Sequence, residues 1–300
     1  MDAKPIRCAI VTGSNKGLGL EICRQLSVTG ITVVMTARDE KRGLEALEKL
    51  KESVGDDVVH DIIFHRLDVA DPSTIPPLVD FIKAKFGKLD ILINNAGILG
   101  SNVDWEYMKD VVGKQGWTED KSNVMATSHT YEMTEECLQV NYYGTKNMIK
   151  AFVPLLQLSH SPRILNVSSS MGRLQNLPNE WARGVLKDVD KLTEERIDEV
   201  VKEFLKDYKD ETMEAKGWPK ILASYILSKA ALNAYSRLVA KEFPDILVNC
   251  ACPCFVKTNL NANSGAISVE EGAESLVRVA LLSDGISGAF FYKAIVSSFE

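Results

Sequence analysis

Short runs of aliphatic and β-branched residues alternate along the first hundred positions with stretches whose apolar residues recur at helical spacing. Arg7–Thr12 predicts a strand, and the segment from Leu18 to Thr29 predicts a helix, with Gly30 placed as a C-cap glycine. Ile31–Ala37 is almost wholly apolar or Thr, the pattern of a strand buried on both faces. Asp39 is then the N-cap of a helix to about Glu52, with Leu44, Leu47 and Leu50 on one stripe. Ile62–Leu67 and Ile91–Asn94 predict the third and fourth strands. The helix between them begins at about Pro76, where proline's missing N–H matters least, and ends near Phe86. Such alternation implies right-handed crossovers and a parallel sheet.

The second half continues the pattern with longer excursions. Residues 100–131 show no clear period and carry Trp105, Tyr107 and Trp117, which predicts a long loop. Helices are expected at 134–158, 225–241 and 269–282, and strands at 163–168, 247–251 and 288–292. Residues 187–216 hold 11 acids against 7 bases, with Ile197, Val200, Phe204 and Tyr208 at helical spacing, so one face can dock while the charges stay solvated. No repeat or linker interrupts the chain. The expected architecture is α/β: one domain over 1–300, a Rossmann-type doubly wound parallel sheet of about seven strands flanked by helices. A helical insertion, about 171–223, precedes the Tyr225 helix.

Composition narrows the partners. With 45% apolar and 25% charged residues the chain is an ordinary globular one, and a net charge of −6 makes it a poor ligand for nucleic acid or an anionic membrane surface. Six cysteines are too few for a disulfide scaffold at 300 residues and fit a reducing compartment. No apolar run approaches the ~20 residues of a membrane span. The N-terminus lacks a signal-peptide core, so the expectation is a cytoplasmic protein.

Chemistry enters at Thr12-Gly13-Ser14-Asn15-Lys16-Gly17-Leu18-Gly19. A strand, a glycine-rich turn and a helix N-terminus make a phosphate cradle, because the backbone approaches closely and free N–H groups face the anion. The spacing is not G-x-G-x-x-G. The second strand ends at Ala37-Arg38, where an NAD site would place an acid for the ribose hydroxyl. Arg38 instead suits a 2′-phosphate and Lys16 supplies a second charge, which points to NADP(H). The alternative, two solvated surface charges, stays open because Asp39 follows directly. Tyr225 and Lys229 are four apart on a predicted helix, so hydroxyl and ammonium share a face; a cation lowers a phenol pKa toward use as an acid or base.

These pieces form an ordered set with Asp68-Val69, Asn94-Asn95-Ala96-Gly97, Asn141, Ser168-Ser169 and Pro253 through Thr258. In that set the chain resembles the short-chain dehydrogenase/reductase family over nearly its whole length. Within the family it is most similar to the monomeric carbonyl-reductase branch, in particular plant members that reduce menthone or salutaridine. The resemblance implies that Tyr225 protonates a carbonyl oxygen as hydride arrives and that Lys229 lowers the Tyr pKa and holds the nicotinamide ribose. It implies that Ser169 positions the carbonyl and that Asn141 binds a water linking Lys229 to solvent. Asp68 and Val69 would meet the adenine; Asn95, Ala96 and Gly97 the middle of the cofactor; Pro253, Val256 and Thr258 its carboxamide side. Taken singly, Asp68 could cap a helix, Asn95–Gly97 could be a turn, and Ser168–Ser170 could simply end a strand.

The implied activity is NADPH-dependent reduction of a ketone to a secondary alcohol on a small or medium apolar, terpenoid- or alkaloid-like substrate. The retained Tyr225 favours a carbonyl over a carbon–carbon double bond. An NAD-dependent alcohol dehydrogenase and a dinucleotide-binding sensor without turnover are the rival readings. Ser169 and Tyr225 stand 56 positions apart, a gap that implies a monomer in this branch. One departure is Cys254, where the family commonly has Gly after Pro253. The alternation Cys250, Cys252, Cys254 reads as core, since no second ligand pair accompanies it, and His60, His65, His129 and His160 have no ligand spacing, so no metal is expected. Trp181 and Trp218 bracket the insertion as pocket wall or core.

Overall fold

The computed structural model describes residues 7–55, 61–107, 127–283 and 285–300; His60 and Trp117 lie outside them. β1 (Arg7–Val11), β2 (Ile31–Ala37), β3 (Ile62–Arg66) and β4 (Ile91–Asn94) alternate with α1 (Gly17–Ser27), α2 (Glu40–Val54) and α3 (Ile75–Phe86). Local chemistry sets the boundaries. Asp39 caps α2 by accepting from the Arg42 N–H at 3.0 Å, and Gly30, at φ +81°, turns the chain from α1 into β2. Asp71 starts a single 3₁₀ turn, Pro72–Thr74, so that Pro76 and Pro77 fall in the first turn of α3.

Within 100–131 the structure adds β5 (Asn102–Val103), paired antiparallel with β6 (Thr127–Ser128). Two-residue strands carry no readable period, which is why the sequence suggests only a loop. The long helix expected from Thr134 is α4 (Tyr131–Leu138) and α5 (Thr145–Leu156) joined by a wide π turn over Gln139–Gly144. It starts early because Thr130 caps it, accepting from the Met133 N–H at 3.3 Å. β7 (Arg163–Val167), α6 (Glu180–Lys187), α7 (Glu194–Lys209), α8 (Ala223–Glu242), β8 (Leu247–Cys252), α9 (Val269–Ala280), β9 (Phe290–Tyr292) and β10 (Ile295–Ser297) complete the order.

The sheet runs β10-β9-β8-β7-β4-β1-β2-β3 and is parallel except for β10. It has eight strands, one more than expected. The chain reverses after β9 through Lys293 and Ala294, both at positive φ (+50° and +60°), a turn usually written with Asn or Gly and therefore silent in the sequence. Two apolar layers flank the sheet. One holds Ile22 and Leu26 of α1, Leu47 and Leu50 of α2, and Leu276 of α9. The other holds Leu78 and Ile82 of α3, Ile149 and Phe152 of α5, and Leu227 and Ala231 of α8.

The insertion packs on this second layer through Ile197, Val200 and Phe204 of α7, all fully buried as their spacing predicts. An ion pair fixes its register. Lys146, nearly buried, lies 2.7 Å from Asp198 and 3.3 Å from Glu194, and Tyr142 donates to the same Asp198 carboxylate at 2.9 Å. Among the described residues no helix is long and apolar enough to cross a membrane.

Breaking that pair should be costly, because the ammonium is left poorly compensated. Asp198→Ala is expected to lose about 2–3 kcal/mol, while Lys146→Met combined with Asp198→Leu should recover most of it. Thermal unfolding of the three proteins checks this, and indistinguishable midpoints would contradict it.

Candidate active site

The strand order reverses between β1 and β4, and both strands deliver their carboxyl ends to the same side, which opens a crevice there. The glycine turn fills one end of it. The Thr12 hydroxyl accepts from the N–H groups of Asn95 and Ala96 at 2.9 and 3.0 Å, and the Asn95 amide donates back to the carbonyls of Thr12 and Gly13 at 2.9 and 3.1 Å. Gly13, at φ +61°, has no room for a Cβ, which would stand 2.9 Å from the Ala96 Cα; at Gly19 it would meet the Asn95 amide at 2.5 Å. No side chain caps the start of α1 at Lys16, so its first N–H groups face the crevice.

The crevice is a cavity of about 860 Å³. Gly13, Asn15, Lys16, Gly17, Leu18 and Gly19 line one end; Arg38, Asp68 and Val69 line the flank; Asn95, Ala96 and Gly97 line the floor. Ser169, Tyr225, Lys229, Pro253, Val256 and Thr258 line the other end. Two expected residues stand behind the wall. Ser14 is fully buried and bonds β2, accepting from the Thr36 N–H at 2.9 Å and donating to its carbonyl at 3.3 Å. Asn141, in the π turn, accepts from the Ile98 N–H and donates to the Ile98 carbonyl, both at 2.9 Å, and donates to Ser228 at 3.0 Å.

Arg38 is well exposed and lies 3.8 Å from Glu136. Arg42, one turn into α2, lines the same flank and was not picked out by the sequence, although a second guanidinium four positions after Arg38 is the signal that marks it. Asp68 both lines the cavity and shapes a turn, accepting from the Ala70 N–H at 3.0 Å.

At the far end Tyr225 and Lys229 project from the first two turns of α8. The Lys229 ammonium lies 5.7 Å from the Tyr225 ring centre and donates to the Val167 carbonyl at 2.9 Å. Burial pushes the Lys229 pKa down to about 8. Burial also pushes the Tyr225 phenol above its ordinary value, more than its hydrogen bond with Ser169 draws it down. Desolvation therefore sets the direction, opposite to the lowering expected from Lys229. Ser169 is held by its own turn, accepting from the Met171 N–H at 3.1 Å. Gly97 separates Asn141 from Lys229: a Cβ there would lie 3.3 Å from one and 3.5 Å from the other.

Beside Tyr225 the walls are apolar, built from Ile98, Leu99, Trp105, Met171, Leu222 and Phe255, with the Trp105 and Phe255 rings 6.5 Å apart. The insertion contributes only its two ends here, Met171 and Leu222. Trp218 is core, donating to Asp207 at 2.8 Å, and Trp181 is half exposed on a separate groove. Cys250 and Cys252 are core, as expected, although Cys252 also touches the cavity, and Cys254, only partly buried, lines it. Among the described residues no cluster of His, Cys, Asp and Glu could hold a metal.

Comparison with known proteins agrees with this geometry. A family model described as short chain dehydrogenase matches residues 7–180. The chain is 53% identical over 297 residues to a (+)-neomenthol dehydrogenase of Arabidopsis thaliana, covering 98% of each. It is 34% identical over 288 residues to a carbonyl reductase (NADPH) of Mus musculus, covering 92% of this chain and 91% of that protein. The structure of salutaridine reductase from Papaver somniferum superposes with a TM-score of 0.87 at 51% identity, covering 95% of this chain and 99% of the other.

The buried ammonium has a measurable consequence. Unfolded lysine titrates near its ordinary value of 10.5 and folded Lys229 near 8, so the unfolded chain binds more protons between those values and stability rises with pH across that window. Lys229→Met is expected to be the more stable protein at pH 7, by up to about 3 kcal/mol, with the gap closing toward pH 10. Urea unfolding at the two pH values reads this, and a gap independent of pH would contradict it.

Proposed function

The chain belongs to the short chain dehydrogenase family, whose oxidoreductases act on the alcohol–carbonyl pair, and we propose that it reduces a ketone to a secondary alcohol with NADPH. The substrate is small or medium-sized and apolar, of terpenoid or alkaloid type. The convergence of Tyr225, Ser169 and Lys229 at one end of a cavity whose other end is the glycine turn carries this reading.

The residues present fit the dinucleotide. The close approach at Gly13 and the uncapped start of α1 suit a pyrophosphate. Arg38 and Arg42 suit a 2′-phosphate, while Asp39, the acid that would serve a ribose hydroxyl, is engaged with the Arg42 N–H and lies 3.5 Å from its guanidinium. Asp68 and Val69 take the adenine end, Asn95 through Gly97 the middle, and Pro253, Val256 and Thr258 the carboxamide side. Ser14 acts from behind, holding the turn to β2. Bound NADPH supplies the hydride.

Tyr225, a phenol protonated at neutral pH, donates its proton to the carbonyl oxygen. Ser169 donates a hydrogen bond to the same oxygen, so developing alkoxide charge meets donors already aimed at it. Lys229 holds the ribose and supplies positive charge beside the phenol. Asn141 fixes the loop at Ile98 through its side-chain amide, and a water bound beside it would link Lys229 to solvent. The reaction runs in reverse with Tyr225 as base. The same reading makes the chain a one-domain, monomeric, cytoplasmic enzyme: the insertion covers the α5 and α8 face against which a second copy could pack, and all six cysteines are free thiols.

Tyr225→Phe should lower kcat for NADPH-driven reduction of cyclic ketones by about 10² or more. Arg38→Asp should raise KM for NADPH about tenfold or more while leaving that for NADH nearly unchanged. Steady-state kinetics on the three proteins decide it; equal turnover by Tyr225→Phe, or an unaltered preference in Arg38→Asp, would contradict the assignment.

A further inference from the structure

One wall of the cavity comes from the C-terminal hairpin. Tyr292, at the end of β9, lines the cavity together with Cys254, whose Sγ is 3.2 Å from the Tyr292 hydroxyl. Cys254 adopts φ +81°, the left-handed region that favours glycine and is costly for any side chain. The hairpin is held on two further sides. The Arg173 guanidinium lies 5.7 Å from the Tyr292 ring centre and donates to the Ser297 hydroxyl at 2.9 Å. The Lys293 N–H donates to the Cys252 carbonyl at 3.2 Å. Arg173 follows the Ser169 turn, and Cys252 lies beside both Tyr225 and Tyr292, so the second phenol is fixed close to the carbonyl-binding end. Its hydroxyl meets only a thiol in this contact, a weak hydrogen-bond partner that an oxygen atom outcompetes. Of the neighbouring side chains, Ile98, Leu99, Met171, Leu222 and Phe255 offer no polar group, while Ser170 and Trp105 line the cavity with a hydroxyl and an indole N–H.

We propose that Tyr292 is a specificity-determining residue, held in place by Cys254, whose hydroxyl binds a second oxygen of the substrate, a hydroxyl or ether, while the reacting ketone sits at Tyr225. This rests on the ketone-reducing reading above and narrows its substrate to oxygenated ketones. Cys254 acts as a positioning residue: its thiol orients the phenol.

The test uses the full chain, NADPH and two cyclic ketones that differ only by a hydroxyl substituent. Tyr292→Phe should lower kcat/KM for the hydroxylated ketone about tenfold, the worth of one hydrogen bond, through KM and not kcat. It should leave the unsubstituted ketone and KM for NADPH unchanged. Cys254→Gly relieves the backbone yet should lose discrimination in the same direction, whereas Cys254→Ser, which keeps a hydrogen-bonding group, should retain it. Equal effects of Tyr292→Phe on both ketones, or parental discrimination in Cys254→Gly, would overturn the inference. Absence of turnover with either ketone in the parent protein would instead overturn the proposed function, and this inference with it.

Discussion

The contact between Gly13 and Ala96 governs the geometry of the site. Two backbone segments, one after β1 and one after β4, approach so closely that a Cβ on Gly13 would lie 2.9 Å from the Ala96 Cα. Thr12 and Asn95 lock that approach with four hydrogen bonds. The consequence travels along the second segment. Two residues later Gly97 passes between Asn141 and Lys229 with little more than van der Waals clearance, and Ile98 is bonded on both backbone atoms by Asn141. The phosphate cradle and the ammonium beside Tyr225 are therefore set by one stretch of chain, Asn95 to Ile98, and neither can shift without the other.

Burial does opposite things to the two ionisable groups at the far end. Desolvation favours the neutral form of each, so it lowers Lys229 toward neutrality and raises Tyr225. The lysine retains enough basicity to be charged at pH 7, and the Val167 carbonyl gives that charge one fixed partner. An apolar α8 without these groups would pack at less cost; the site is maintained against the stability of the helix that carries it.

What the sequence discloses follows from where the constraint is local. β2 is legible because every residue of Ile31–Ala37 is buried, and α2 because Asp39 caps it and Leu47 and Leu50 are buried as their spacing predicts; Leu44, expected on the same stripe, is exposed, and Gly43 and Ala46 share the buried face instead. The glycine turn and the Tyr225/Lys229 pair are legible because chain spacing dictates the geometry. The hairpin of β10 is not, since Lys293 and Ala294 carry no turn signal, and the π turn at Gln139–Gly144 is not, since its residues keep a helical pattern. Ser14 and Asn141 belong to motifs that read as ligand contacts but serve as struts, a distinction that only side-chain direction makes. Arg42, Leu222, Cys254 and Tyr292 reach the cavity from elements far apart in the chain, so no window of sequence holds them together.

Charge divides in the same way. The chain is acidic, with a net charge of −6, and residues 187–216 hold 11 acids against 7 bases, yet none of that segment lines the cavity. The lining residues include five bases, Lys16, Arg38, Arg42, Lys229 and Lys257, against two acids, Asp39 and Asp68. One of those acids is spent on capping α2 and pairing Arg42, and the other shapes its own turn. The cavity thus presents a positive mouth, suited to a polyanionic dinucleotide, on a negative protein, and the insertion is free to be acidic because its work is done by Ile197, Val200, Phe204 and the Lys146–Asp198 pair, none of which lines the cavity.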